Sequence, residues 1–249
     1  MKQHLNNHLL ARLDAATLDA MTPHLAVVRM EQGHVLNETH AEIQKVYFPH
    51  SGIISCVVEL IDGGAIETGM IGKDGQFGAS PAFDHKVSLN FVVMQVAGQA
   101  SVIEADRFRE LAQQRPSLRK ATMAYEQFFL AQAQQTAACN AVHKVQARTC
   151  KWLLRMHKLV GDEIPLTQEF LAQMMGVRRT SVTQVAGELQ RAGMIRYSRG
   201  RVRIVDLELV QRTACECHAA LISHYSRVFE DGNDLIYVER RTDVRANRR

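Results

Sequence analysis

The sequence predicts an α+β fold, with a β-barrel first, a long helix next, and a helical module closed by a β-hairpin last. Three observations predict it. Nine of the 15 glycines lie in residues 33–98, whereas none lies between Gln99 and Val160, where Pro116 is the sole proline. Glycine-punctuated segments followed by a glycine-free one read as strands and turns, then helix. The apolar spacing also changes, from two residues before about residue 105 to three and four after it. Finally, charge is segregated. Residues 1–140 hold 11 Lys/Arg against 14 Asp/Glu, residues 141–205 hold 12 against 4, and residues 206–249 hold 7 against 8. With 46% hydrophobic and 22% charged residues over 249 positions, the chain is ordinary globular material. Disorder and small disulfide scaffolds are excluded.

Taken in order, residues 5–20 read as a short helix with Leu5, Leu9, Leu13 and Leu18 as its apolar positions. Val46 and Phe48, then Ile53, Ile54, Val57 and Val58, are strand-like runs around Pro49 and Gly52, and Asp62-Gly63-Gly64 is a turn. Val87, Leu89, Phe91 and Val93 alternate at period two. Several short strands with turns between them suggest a small barrel or sandwich. Ser117, after Pro116, is a helix N-cap candidate. Leu118, Tyr125, Gln132 and Cys139 then recur every seven residues, beside Ala121, Phe128 and Phe129, with Gln132 and Gln135 interrupting the seam. A helix of about 22 residues spans about 33 Å, so its apolar stripe packs either within this chain or on a second copy. A further helix covers 141–159. The expected units are 1–116, 117–140, 141–206 and a helical extension, 207–249.

Residues 166–192 read LTQEFLAQMMGVRRTSVTQVAGELQRA. Thr167 can cap a first helix whose apolar stripe is Phe170, Leu171, Met174 and Met175. Gly176 sits where the chain must reverse, a position favouring positive φ. A second helix buries Val182, Val185, Ala186 and Leu189, spaced i, i+3, i+4 and i+7. At about 100° per residue, Thr180, Thr183, Gln184, Gly187 and Arg191 face away from them. Arg178 and Arg179 stand at the N-terminal end, with Ser181 beside them. A short polar face led by arginines suits base edges in a DNA major groove, where arginine can contact guanine through two hydrogen bonds. Ile195 and Tyr197, then Ser198-Arg199-Gly200-Arg201, then Val202 and Ile204 form a hairpin, that is, a wing. Arg196, Arg199, Arg201 and Arg203 are placed for phosphate contacts.

Barrel, long helix and this winged helix-turn-helix together resemble the Crp/Fnr family of bacterial transcription regulators. The resemblance runs from about residue 25 to 205. It implies a jelly-roll, cyclic-nucleotide-binding-like N-terminal barrel, a long dimerisation helix at 117–138, and a cytoplasmic homodimer. It further implies double-stranded DNA with a palindromic site as partner, RNA polymerase as a further one, and room for an unidentified small-molecule effector. Arg179 matches the family's base-reading arginine, whereas Thr180 stands where many members have glutamate and Gln184 where arginine is frequent. In cyclic-nucleotide-binding members, a Gly-Glu pair precedes an Arg-Ser/Thr pair by about ten residues. Here the stretch is GKDGQFGASPAFDHKVSLNFVV. Gly78 matches, Ala79 replaces the glutamate, and Val87-Ser88-Leu89 contains no arginine, leaving Lys86 as a stand-in. The cassette is degenerate, and no response to cyclic AMP is expected.

Other chemistry finds little footing. The five cysteines, Cys56, Cys139, Cys150, Cys215 and Cys217, are odd in number and contain no two-residue gap. This fits a reducing compartment. The family's iron–sulfur type uses an N-terminal cysteine cluster, but only Cys56 precedes residue 139. Two other classes compete: a non-DNA interaction module built on the same barrel, and a cupin-like metal enzyme, which would have to use His34, Glu38 and His40 without the necessary spacing. The uncharged stretch Val87 to Ile103 is too polar to span a membrane. No catalytic residue, metal or cofactor is expected. Residues 206–230 read as one helix, on which Cys215 and His218 can share a face, while Cys217 and His224, seven residues apart, are too distant to share a metal; the last twelve residues read as frayed.

Overall fold

The computed structural model describes residues 2–61, 63–80 and 87–229. Asp62, Lys86 and the terminal segment expected to fray lie outside the described residues. Strands β1 (Ala26–Met30), β2 (Val35–Asn37), β3 (Lys45–Pro49), β4 (Ile53–Glu59), β5 (Ala65–Ile71), β6 (Phe91–Val96) and β7 (Gly98–Glu104) form two antiparallel sheets. Their orders are β1-β7-β3 and β2-β6-β4-β5. The expected barrel is therefore an open, jelly-roll-like pair of sheets. Alternating apolar positions make its core, with Met30, Ile54, Ile71, Val92, Met94 and Val102 in one buried cluster. The period-two run beginning at Val87 enters a strand only at Phe91. Val87 makes an isolated bridge to Glu42 and Leu89 is exposed.

Three other boundaries differ from expectation. The N-terminal segment is two 3-10 turns and a short helix, α1 (Ala15–Met21), whose N-cap Asp14 accepts the Thr17 amide. After α2 (Ala105–Gln114), the long helix α3 spans Pro116–Val142. Proline itself occupies its first turn, where its missing N–H costs nothing, so Ser117 lies inside the helix and is no cap. The C-terminal extension is two helices, α7 (Leu207–Thr213) and α8 (Cys217–Phe229), broken at Ala214. Between them in sequence come α4 (Val145–Val160), β8 (Glu163–Pro165), α5 (Gln168–Met175), α6 (Arg179–Arg191), β9 (Ile195–Ser198) and β10 (Arg201–Ile204). Helices α3 and α4 are separated by His143 and Lys144, which leave helical geometry.

The seven-residue seam of α3 is covered by this chain. Leu118, Tyr125, Gln132 and Cys139 are all buried, against β5 and α8 among others. The glutamine that interrupts the seam has a structural reason. Strand β5 is a sheet edge, and Gln132 pairs with it as a strand would. Its Oε1 accepts the Met70 amide at 3.3 Å and its Nε2 donates to the Met70 carbonyl at 3.4 Å. This gives the edge-strand amide of Met70 an acceptor and its carbonyl a donor. Gly69 permits the approach, since a Cβ there would lie 2.7 Å from the Phe129 ring.

The outer face of the same sheet is packed by the C-terminal module. Ile53, Val57, Met70 and Val96 share one core with Trp152, Met156, Met174 and Leu189. Polar contacts cross this boundary. Arg155 on α4 makes a two-pronged ion pair with Asp74, at 2.6 and 3.1 Å. Glu67 on β5 accepts hydrogen bonds from Trp152 Nε1 at 2.9 Å and Ser55 Oγ at 2.6 Å. Burial disfavours the Glu67 carboxylate and pushes its pKa up from 4.5 to about 7, against those hydrogen bonds and the positive field of Lys151 and Arg155.

Between pH 4.5 and about 7 the folded chain therefore keeps a proton on Glu67 that the unfolded chain has lost. Stability from this group falls as pH rises through that window and levels off above it. Glu67→Gln retains both hydrogen-bond partners without the charge. It is expected to raise the melting temperature at about pH 8 and to change it little at about pH 5. Thermal unfolding of both proteins across the range checks this, and an identical pH slope in the two would contradict it.

Candidate nucleic-acid interface

The interface is built on a buried face. Val182, Val185, Ala186 and Leu189 of α6 are buried, as their spacing predicts. On α5, Leu171, Ala172, Met174 and Met175 are buried and Phe170 is half-buried. Thr167 caps α5 by accepting the Phe170 amide at 3.1 Å. Gly176 ends the helix in the left-handed conformation, φ 60° and ψ 41°, and its amide returns to the Ala172 and Gln173 carbonyls. That turn also rests against the sheet, because a Cβ on Gly176 would stand 3.1 Å from Ile66.

This packing sets the polar residues outward. Arg178, Arg179, Thr180, Thr183, Gln184 and Arg191 are exposed, and Ser181 is half-buried. Several are held by light local contacts. Arg179 lies 3.4 Å from Glu169, the Thr183 hydroxyl meets Gln168 Oε1 at 2.7 Å, and Gln184 donates to Glu188 at 3.0 Å. Exposed pairs of this kind are worth about 0–1 kcal/mol, so another partner can displace them readily.

The wing is a three-stranded sheet ordered β8-β10-β9, one strand more than the hairpin alone. Its two-residue tip, Arg199-Gly200, has φ of 48° and 73°. Both residues are left-handed, as the tight turn matching the twist of paired strands requires. Arg196, Arg199, Arg201 and Arg203 are exposed, with Arg201 3.9 Å from Glu163. The basic excess of residues 141–205 does not all reach the surface, however. Arg148 is buried and donates to the Met175 carbonyl, and Arg155 is engaged by Asp74. Lys144 at the N-cap of α4 and Lys158 on that helix are exposed, and Lys151 is half-buried.

The degenerate cassette occupies different ground. Gly78 has φ 88°, and a Cβ there would fall 2.2 Å from the Lys45 carbonyl oxygen. Ala79 is fully buried in an apolar cluster with Met21, Val46, Phe48 and Phe108. A carboxylate at that position would be buried among hydrocarbon. Ser88 is buried, and its hydroxyl and the Asn90 backbone bond to each other at 3.1 Å. His34, Glu38 and His40 are each exposed and do not come together as a ligand set among the described residues.

Two features were not foreseen. A pocket opens where the sheets meet the C-terminal module, lined by Glu67, Gln132, Lys151, Trp152, Lys158 and His218 among others. Burial, with the nearby charges of Lys158, Arg155 and Lys151, pushes the His218 pKa down to about 4, so this imidazole faces the pocket neutral. Cys215 and Cys217 do not partner His218 but lie beside Cys139 and His143. No helix is long and apolar enough to cross a membrane among the described residues.

Residues 147–213 match the Crp-like helix-turn-helix domain. No curated protein sequence matches the chain. Solved structures that share its fold include the following three. FixK2 from Bradyrhizobium japonicum is 11% identical, over 77% of this chain and 98% of its own, with a TM-score of 0.67. CLP, a c-di-GMP-responsive global regulator from Xanthomonas campestris, is 18% identical, over 78% and 100%, with a TM-score of 0.65. A CRP-family transcriptional regulator from Thermus thermophilus is 19% identical, over 75% and 96%, with a TM-score of 0.64.

Proposed function

We propose that this chain, a transcription regulator of the Crp/Fnr type by its DNA-binding domain and its fold, reads a palindromic duplex site as a cytoplasmic homodimer and takes no cyclic nucleotide. The observation behind it is the outward face of α6. Arg178, Arg179, Thr180, Thr183 and Gln184 are exposed on a helix whose other side is locked into a core. Such a helix can enter a major groove without reorganising itself. The arginines of the wing then contact phosphates on either side, adding affinity without sequence preference. Thr167 and Ser181 lie near this surface, one as a helix cap and the other half-buried.

Selection of bound sites from random duplex DNA tests the reading, and a palindrome with half-sites about 34–36 Å apart is the expected outcome. Arg179→Ala should cost about 1–3 kcal/mol on the selected site and relax preference at one base pair. Equal weakening on all sequences would make Arg179 a phosphate contact, and no duplex selection at all would overturn the function.

The dimer rests on a second stripe of α3. With the first seam turned inward, Lys120, Met123, Gln127, Leu130, Gln134, Ala137 and Ala141 are all exposed. They follow one another at alternating intervals of three and four, the spacing of a coiled-coil seam. Met123 and Leu130 are 45% and 57% exposed, unusual for large apolar residues on a helix with no partner. Leu130→Glu should yield a folded monomer with weakened operator binding. Sedimentation shows the state, and an unchanged dimer would place the contact elsewhere.

The two-sheet domain supports no cyclic phosphate. No arginine stands at Val87-Ser88-Leu89, Ala79 faces hydrocarbon, and apolar side chains of both sheets share one buried cluster. Burying a phosphate monoanion without a paired cation is costly. Calorimetry should detect no cyclic AMP or cyclic GMP binding at micromolar concentrations, and a micromolar dissociation constant would refute this. The pocket beside Lys151 and Lys158 is the better place for a small effector, since groups of both halves line it.

A further inference from the structure

We propose that Cys139, His143, Cys215 and Cys217 form a tetrahedral site for one thiophilic divalent cation, zinc being the best match. Their ligand atoms all lie within 4.8 Å of one another. Cys139 Sγ is 3.5 Å from Cys215 Sγ, and Cys217 Sγ is 3.5 Å from His143 Nδ1. In a zinc tetrahedron with bonds of about 2.3 Å to sulfur and 2.0–2.1 Å to nitrogen, neighbouring ligand atoms stand about 3.5–3.8 Å apart. The set therefore needs little rearrangement to close on an ion. Three sulfurs and an imidazole also select against magnesium and calcium, which take oxygen donors.

The surroundings point the same way. His143 offers Nδ1 to the cluster, while its Nε2 lies 3.2 Å from the Glu216 carboxylate. A carboxylate on the far nitrogen fixes the tautomer that leaves Nδ1 free to ligate. Gln135 Nε2 donates to Cys217 Sγ at 3.1 Å, a bond that favours thiolate. Three thiolates around a divalent ion leave one net negative charge, and Lys151 and Arg148 act electrostatically on these cysteines.

The placement gives the site a purpose. Cys139 is in the last turn of α3, and His143 is the residue at which that helix ends. Cys215 lies in the break between α7 and α8, and Cys217 begins α8. Cys139 and Cys215 are 76 residues apart, and the whole winged module lies between them. An ion here ties the end of the long helix to the far end of that module, across the joint at His143 and Lys144. It would restrain the angle between α3 and the DNA-reading helices.

Full-length protein stripped by chelator under reductant and titrated with cobalt should bind one equivalent, with the intense visible bands of tetrahedral thiolate coordination. Zinc should displace the cobalt and raise the melting temperature. Cys217→Ser should lose the bands, and Cys56→Ser, at a buried cysteine outside the cluster, should keep them. Glu216→Gln keeps all four ligands and should weaken cobalt binding about tenfold or more, so the test does not depend on a variant that fails to fold. Five titratable thiols with no cobalt bands would overturn the proposal. So would three thiols and a Cys139–Cys215 disulfide in protein handled without reductant, if reduction does not restore metal binding.

Discussion

The ion pair between Arg155 and Asp74 is the contact on which the arrangement of the two halves depends. Asp74 follows the last strand of the outer sheet, and its carboxylate is almost fully enclosed, with a side chain only 4% exposed. Burial works against that charge, but the facing guanidinium, with Lys158 and a backbone hydrogen bond, offsets it and holds the carboxyl below its ordinary range. Arg155 also donates to the Met70 carbonyl, and the Tyr225 hydroxyl donates to the Asp74 carbonyl at 3.2 Å. Sheet, connecting helix and C-terminal helix thus meet at one residue. Removing either charged partner would leave the other buried alone, which is far more costly than the net value of the pair. The surrounding apolar core supplies the bulk of the attraction, and the pair fixes its register.

Several polar groups at this boundary have specific partners. Glu67 has Trp152 and Ser55, Gln132 has the Met70 backbone, and Arg148 has the Met175 carbonyl. On the outward face of α6 the contacts are exposed, as between Arg179 and Glu169. The contrast is one of dielectric. Enclosed contacts hold the halves together, while solvated ones orient the exposed side chains of α6 at small cost.

Much of the geometry of the candidate interface was legible in the sequence, because amphipathic periodicity is a local signal. The buried face of α6, the turn at Gly176 and the Arg199-Gly200 tip follow from residues within a few positions of one another. The boundary between the halves was not legible. Its contacts join Gln132 to Met70, Trp152 to Glu67 and Arg155 to Asp74, residues 62 to 85 positions apart. Arg148 and Arg155 look like part of a basic surface because charge counts carry no direction. The cysteine cluster was missed because Ala214-Cys215-Glu216 breaks the C-terminal helix without glycine or proline. A signal did exist in the i, i+4 spacing of Cys139 and His143 on one helix face, set against a Cys-x-Cys pair downstream.

The joint at His143 and Lys144 looks like a natural seam for exchanging one DNA-reading module for another. The shared core argues against so simple a graft. A foreign module joined there would leave Met70, Val57 and Val96 facing a surface that had not been shaped for them, and Asp74 without its guanidinium. The two-sheet domain and the winged module are in effect one packed unit. A working chimera would need to bring the outer face of β4 and β5, with Glu67 and Asp74, along with the helices that rest on it.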